Sequence, residues 1–152
     1  MTKVFICYRR QDSIATAGRI HDRMAREFGD SNTIMDVDSI PVGRDFEAYL
    51  DKSVSRCDIF LAIIGLNWLT TLYATRDDRE KDGIDYVVTE IVAALNRDIP
   101  VVPVLVDGAA MPSADELPDS LRPLARRNAI EVRNTQFHSD ADRLVEKIPT
   151  CS

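Results

Sequence analysis

The sequence predicts one α/β domain, a parallel sheet covered by helices on both faces, from three observations. Short apolar runs alternate along the chain with stretches of helical periodicity. The runs are apolar nearly throughout rather than at every second residue, as strands buried on both faces require. With 152 residues, 45% hydrophobic and 29% charged, residues 1–152 have the size and composition of one globular domain with a single substantial core.

The elements follow in order. "KVFICY" (3–8) is a short apolar run suited to a buried strand. "DSIATAGRIHDRMAREF" has helical spacing, with Ile14, Ala17, Ile20, Met24 and Phe28 on one face and Asp12 or Ser13 as N-cap. "NTIMDV" is a second strand, ended by the turn-prone "DSIPVGRD". "FEAYLDKSVSRC" is helical and "DIFLAIIG" is a fully apolar strand ending at Gly65. The polar stretch 66–84 has weak periodicity and reads as a loop with room for a short helix. A helix over Tyr86–Arg97 leads into the strand "IPVVPVLVDG", where Pro103 forfeits a ladder hydrogen bond and so points to a strand near an edge or kinked. "AAMPSADELPDSLRPLARRN" is Pro-rich and irregular with one helical turn, "AIEVR" is a short strand, and "SDADRLVEKI" is a closing helix capped by Ser139 or Asp140. Five strands of this length fit a flavodoxin-like, doubly wound sheet.

Composition excludes several function classes. A net charge of −6 opposes a mainly electrostatic nucleic-acid binder, although Arg9-Arg10 and Arg126-Arg127 leave local sites for a small anion. No apolar run approaches the roughly 20 residues that span a bilayer, so no membrane association is expected. "MTKVFICYRR" lacks the apolar core and cleavage site of a signal peptide. Cys7, Cys57 and Cys151 show no CxxC spacing and read as free thiols in a reducing cytoplasm. The two histidines, His21 and His138, make no metal site by spacing, and no metal or cofactor is expected.

In open α/β sheets, ligands bind beyond the carboxyl ends of the strands. "YRRQDS", "DVDSIPVGRD" and "GLNW" stand there. No GxGxxG follows the first strand, and neither GxxxxGK[ST] nor GxSxG occurs. Asp36 and Asp38 raise a response-regulator reading with a bound Mg²⁺. Against it, Tyr8-Arg9-Arg10 and Gly65 occupy the positions where that family wants its other acidic residues.

Taken together, three boxes in this order resemble the Toll/interleukin-1 receptor (TIR) domain over nearly the whole chain. They are "VFICYRRQDS", "MDVDSIPVGRDFEAYLDKSVSRCDIFLAIIGLNWL" and "DYVVTEIVAALNRDIPVVPVLVDG". The last is closest to bacterial TIR domains and to those that cleave NAD+. The resemblance implies strand order 2-1-3-4-5 and one of two functions. Many bacterial and plant members break the nicotinamide–ribose bond of NAD+, giving nicotinamide with ADP-ribose or a cyclic ADP-ribose-type signal in immunity and antiphage defence. Others are non-enzymatic modules that scaffold or interfere with signalling. NAD+ is then a substrate rather than a cofactor, and the partners are other TIR domains, met through the loop after the second strand (the BB loop) and the helix after the third.

In that family the discriminating residue is a glutamate on the helix after the third strand, preceded four residues earlier by an aromatic, usually Trp. Glu90 takes that place and Tyr86 replaces the Trp. Residues four apart share a helical face, about 5–6 Å apart at Cβ. Glu90 is therefore either a solvated helix charge or the catalytic carboxylate. In the second role it stabilises an oxocarbenium-like transition state and holds the ribose hydroxyls. Tyr86 either packs in the core or stacks on the substrate. Tyr8 suits stacking on a planar base, while Arg9 and Arg10 suit a pyrophosphate. The alternative for the arginines is a solvated strand end paired with Asp36 or Asp38. Asp36, Asp38, Ile40, Pro41, Gly43 and Phe46 make up the BB-loop region, which in related domains packs on a neighbouring copy and gates the nicotinamide pocket. The plain alternative is a simple connection. Trp68 is read as a core or loop anchor, and Cys7, where the family often has Ser, is assigned no chemistry.

Overall fold

A computed structural model describes residues 2–35, 43, 46–72 and 86–148. Among them five strands form one all-parallel sheet in the order β2-β1-β3-β4-β5. The strands are β1 (Val4–Cys7), β2 (Thr33–Met35), β3 (Ile59–Ile64), β4 (Val101–Val106) and β5 (Ile130–Val132). The helices are α1 (Arg10–Phe28), α2 (Phe46–Ser55), α3 (Tyr86–Asn96) and α4 (Phe137–Lys147), with a helical segment over 68–72 and 3₁₀ turns between the later elements. The irregular Pro-rich stretch contains a 3₁₀ helix over Asp119–Arg126, which buries Leu121 and Leu124.

Side-chain alternation along the strands divides the core in two. Val4, Ile6, Ile59, Leu61 and Ile63 face α1 and α4, meeting Ala17, Ile20, Met24, Ala141 and Leu144. Phe5, Cys7, Phe60, Ala62 and Ile64 face the other way, toward Val54, Ile91 and Ala94. Phe5 and Phe60 stack with centroids 5.1 Å apart and planes within 7°. Each fully buried residue of this size contributes about 1.5–3 kcal/mol relative to exposure, which explains why both faces are apolar.

Pro103 lies opposite Ala62 in β4, beside the edge strand β5 and so near an edge, while three other expectations need correction. The Phe60 N–H to Pro100 carbonyl bond sets the alternation of β4, which turns the Pro103 nitrogen toward β5. Since β5 first pairs at Val104↔Ile130, the missing N–H falls just short of that ladder. Helix α1 starts at Arg10, before the expected caps, and is broken at Ser13 (φ −147°, ψ 32°). With the helical phase interrupted one residue earlier, Ile14 is 53% exposed while Ala17, Ile20, Met24 and Phe28 are buried. Helix α4 begins at Phe137, so neither Ser139 nor Asp140 caps it. Asp140 instead accepts from the Arg133 backbone N–H (2.9 Å) and guanidinium (2.9 and 3.1 Å), and from Arg143 (3.2 Å).

Candidate functional site at the carboxyl end of β1

Strand β1 is the centre of the site, because it pairs with β2 on one side and β3 on the other. Its last residue, Cys7, is 2% exposed and lies on the face covered by α3. Helix α3 turns Ile91 and Ala94 into that core, and the same rotation carries Glu90 inward to 7% exposure. The Cys7 thiol donates to Glu90 Oε1 at 3.3 Å, with the Val87 carbonyl of the same helix at 3.9 Å. A carboxylate drawn into a core needs such donors, since burying a charge without them is costly.

The chain then turns. Tyr8 is buried with the cluster that faces α1 and α4, on the sheet face opposite Cys7. Arg9 is 4% exposed, and its guanidinium carbon lies 5.3 Å from the centroid of the Trp68 ring, itself 1% exposed. A desolvated pair of this kind is worth about 2 kcal/mol. Arg10 is exposed as the first residue of α1. Asp12 reaches the exit of β3, where its carboxylate accepts from the backbone N–H of Gly65 and of Asn67, both at 2.8 Å. A Cβ on Gly65 would stand 2.6–2.9 Å from that carboxylate, so glycine is required by the close approach.

Beside this exit is a small apolar cleft of about 80 Å³ lined by Ile64, Leu66, Trp68, Leu69, Ala109 and Pro112. It is well below the roughly 300–1,000 Å³ of a typical ligand pocket, so it does not by itself accommodate a dinucleotide. Among the described residues no group of three or more His, Cys, Asp or Glu side chains is arranged to hold a metal. None of their helices is long and apolar enough to cross a membrane. The Cys57 thiol, at the start of β3, is pushed up to about 12, chiefly by burial and then by the charge of Asp58.

The geometry therefore brings Glu90 to the end of β1 and Arg9 against the β3 exit, but puts Tyr8 on the other face. Gly43 is exposed with φ +88°, a left-handed conformation that favours glycine. Phe46 and Tyr86 open α2 and α3, and their side chains lie outside the described residues, as do Asp36, Asp38, Ile40 and Pro41. Sequence reasoning missed Cys7 and Asp12. The available signal for Cys7 was strand alternation: it shares parity with Phe5, whose face α3 covers.

Residues 4–146 match the TIR domain family. The chain is 26% identical over 147 residues to the NAD(+) hydrolase sarm1 of Drosophila melanogaster, an alignment covering 95% of this chain and 10% of that protein. This chain thus spans about a tenth of that relative's length. Two solved structures share the fold. The TIR domains of the activated Roq1 resistosome, directly recognizing the pathogen effector XopQ, superpose with a TM-score of 0.68 at 14% identity, covering 98% of this chain and 100% of that one. A metazoan TIR-STING receptor from C. gigas, in complex with 2′,3′-cGAMP, gives 0.58 at 15% identity, covering 91% and 38%.

Proposed function

The chain belongs to the TIR-domain family, and we propose that it is an NAD+ glycohydrolase, active when copies of the domain assemble. The observation that carries this reading is Glu90, withdrawn from solvent at the carboxyl end of β1 and hydrogen-bonded there by Cys7. Its likeness to an NAD(+) hydrolase supports the same activity.

The bond between ribose C1′ and the nicotinamide nitrogen breaks, and its electron pair leaves with nicotinamide, which departs neutral. No general acid is needed. Positive charge develops on C1′ and the ring oxygen, and the Glu90 carboxylate stabilises it while holding the ribose hydroxyls. Water then attacks C1′ and releases a proton to give ADP-ribose. Attack by an adenine nitrogen gives a cyclic product instead, suited to a signal in bacterial immunity. Arg10, exposed at the start of α1, is assigned to the pyrophosphate. Arg9 acts indirectly, since its guanidinium is buried against Trp68, and Tyr8 contributes packing rather than stacking. Tyr86 is assigned to stacking on the substrate, and Asp36, Asp38, Ile40, Gly43 and Phe46 to binding it together with a neighbouring copy.

The test is incubation of concentrated protein with NAD+ and separation of products by chromatography, with Glu90→Ala alongside. Cleavage that disappears in the variant is expected. Unchanged NAD+ under assembling conditions, or equal turnover by Glu90→Ala, overturns the reading. A second reading, a non-enzymatic module that associates with other TIR domains, is favoured by Leu66. That residue is 67% exposed on the rim of the apolar cleft. It predicts self-association without loss of NAD+.

A further inference from the structure

We propose that Cys7 is a positioning residue for Glu90, its thiol fixing the orientation of the carboxylate that acts on the ribose. The inference rests on the glycohydrolase reading and deepens it. A glutamate has three side-chain torsions, whereas Cys7 ends a strand held on both sides by β2 and β3. A strand fixed on both sides therefore carries a donor, and the flexible side chain carries the acceptor. The thiol has a single proton and two acceptors in reach, Glu90 Oε1 at 3.3 Å and the Val87 carbonyl at 3.9 Å. The nearer acceptor, the carboxyl oxygen, takes it. Both acceptors belong to α3, so the thiol also fixes how far that helix stands from the end of β1. A Glu90 free to rotate would spend part of its time away from the developing charge, and misplacement of this kind lowers turnover more than binding.

Ser and Ala are nearly the same size and differ in the donor, so comparing them separates positioning from packing. A hydrogen bond to a charged group predicts that Cys7→Ala lowers kcat for NAD+ cleavage about tenfold, with KM little changed. Cys7→Ser, whose hydroxyl can donate, recovers most of that loss. The loss must also vanish in a Glu90→Gln background, because no carboxylate is left to orient. Equal kcat for Cys7→Ser and Cys7→Ala overturns the proposal, as does an undiminished effect of Cys7→Ala in the Glu90→Gln protein. Circular dichroism and thermal melts of each variant identify any loss that comes from unfolding. Failure of the parent chain to cleave NAD+ is a separate result. It overturns the glycohydrolase reading before any Cys7 variant is compared.

Discussion

Glu90 and Asp140 are both carboxylates withdrawn from water, 7% and 1% exposed, and each is held by a different kind of donor. Asp140 receives Arg133 through its backbone and guanidinium, and Arg143 from the next turn of its helix. These partners hold its carboxyl well below the usual range, at about 2, with the Arg133 side chain the largest cause. Glu90 meets the neutral thiol of Cys7. A carboxylate flanked by guanidinium groups has its charge already compensated and serves to tie β5 to α4. Glu90 is instead held against the end of the central strand β1, with the Cys7 thiol among its contacts. Asp140 thus serves cohesion, whereas Glu90 is the carboxylate proposed for the reaction.

The strongest way to break this comparison is at Glu90. Glu90→Gln is expected to reduce NAD+ cleavage about 10²–10³-fold, the usual loss when a transition-state electrostatic partner is removed. Equilibrium unfolding in urea should show the fold retained. Next in size is Asp12, a structural carboxylate within the reactive end. Asp12→Ala removes two charge-assisted bonds to the β3 exit and should destabilise the chain by about 2 kcal/mol in the same urea experiment. Gly65→Ala should act in the same direction, because the added Cβ displaces the Asp12 carboxylate.

Asp140 sharpens the contrast through pH. Its folded value is depressed from 3.8 to about 2, so its stabilisation is fully present above pH about 4 and is lost as pH falls toward 2. Asp140→Asn should lower stability at neutral pH and flatten the acid limb of a stability-versus-pH curve between those values. An unchanged acid limb would sink the assignment. The smallest effect is expected at Leu66, 67% exposed. Leu66→Ser should alter stability by less than about 0.5 kcal/mol, and light scattering should show weakened self-association if that rim is the contact between copies.

How much of this was legible beforehand depends on the range of the interaction. The apolar runs "VFIC", "IFLAII" and "VVPVLV" became β1, β3 and β4 because a strand buried on both faces leaves an unmistakable composition. The order of the strands came from the family resemblance, since periodicity carries no information about neighbours. Asp12 looked like a helix cap because Asp before an apolar period usually is one. Its actual partners, Gly65 and Asn67, lie more than fifty residues away. The surroundings of Arg9 and Pro103 were hidden for a related reason. A buried arginine depends on a tryptophan from another segment, and an interior proline depends on how short its neighbouring strand is. Position on α3 gave Glu90, but its burial and its thiol partner needed the sheet.

The strand order has a consequence for how the molecule comes into being. Strand β1 can be enclosed once β2 and β3 exist, but β3 has no second neighbour until β4 is made. During synthesis the residues of Ile59–Ile64, all buried in the finished sheet, therefore form a bare edge while the chain up to Val101 is still being added. An apolar edge of unpaired amides is a template for another strand, and parallel pairing across such a separation is slow. The same order that gives β1 a neighbour on each side leaves the nascent chain, for that interval, dependent on its surroundings to stay unaggregated.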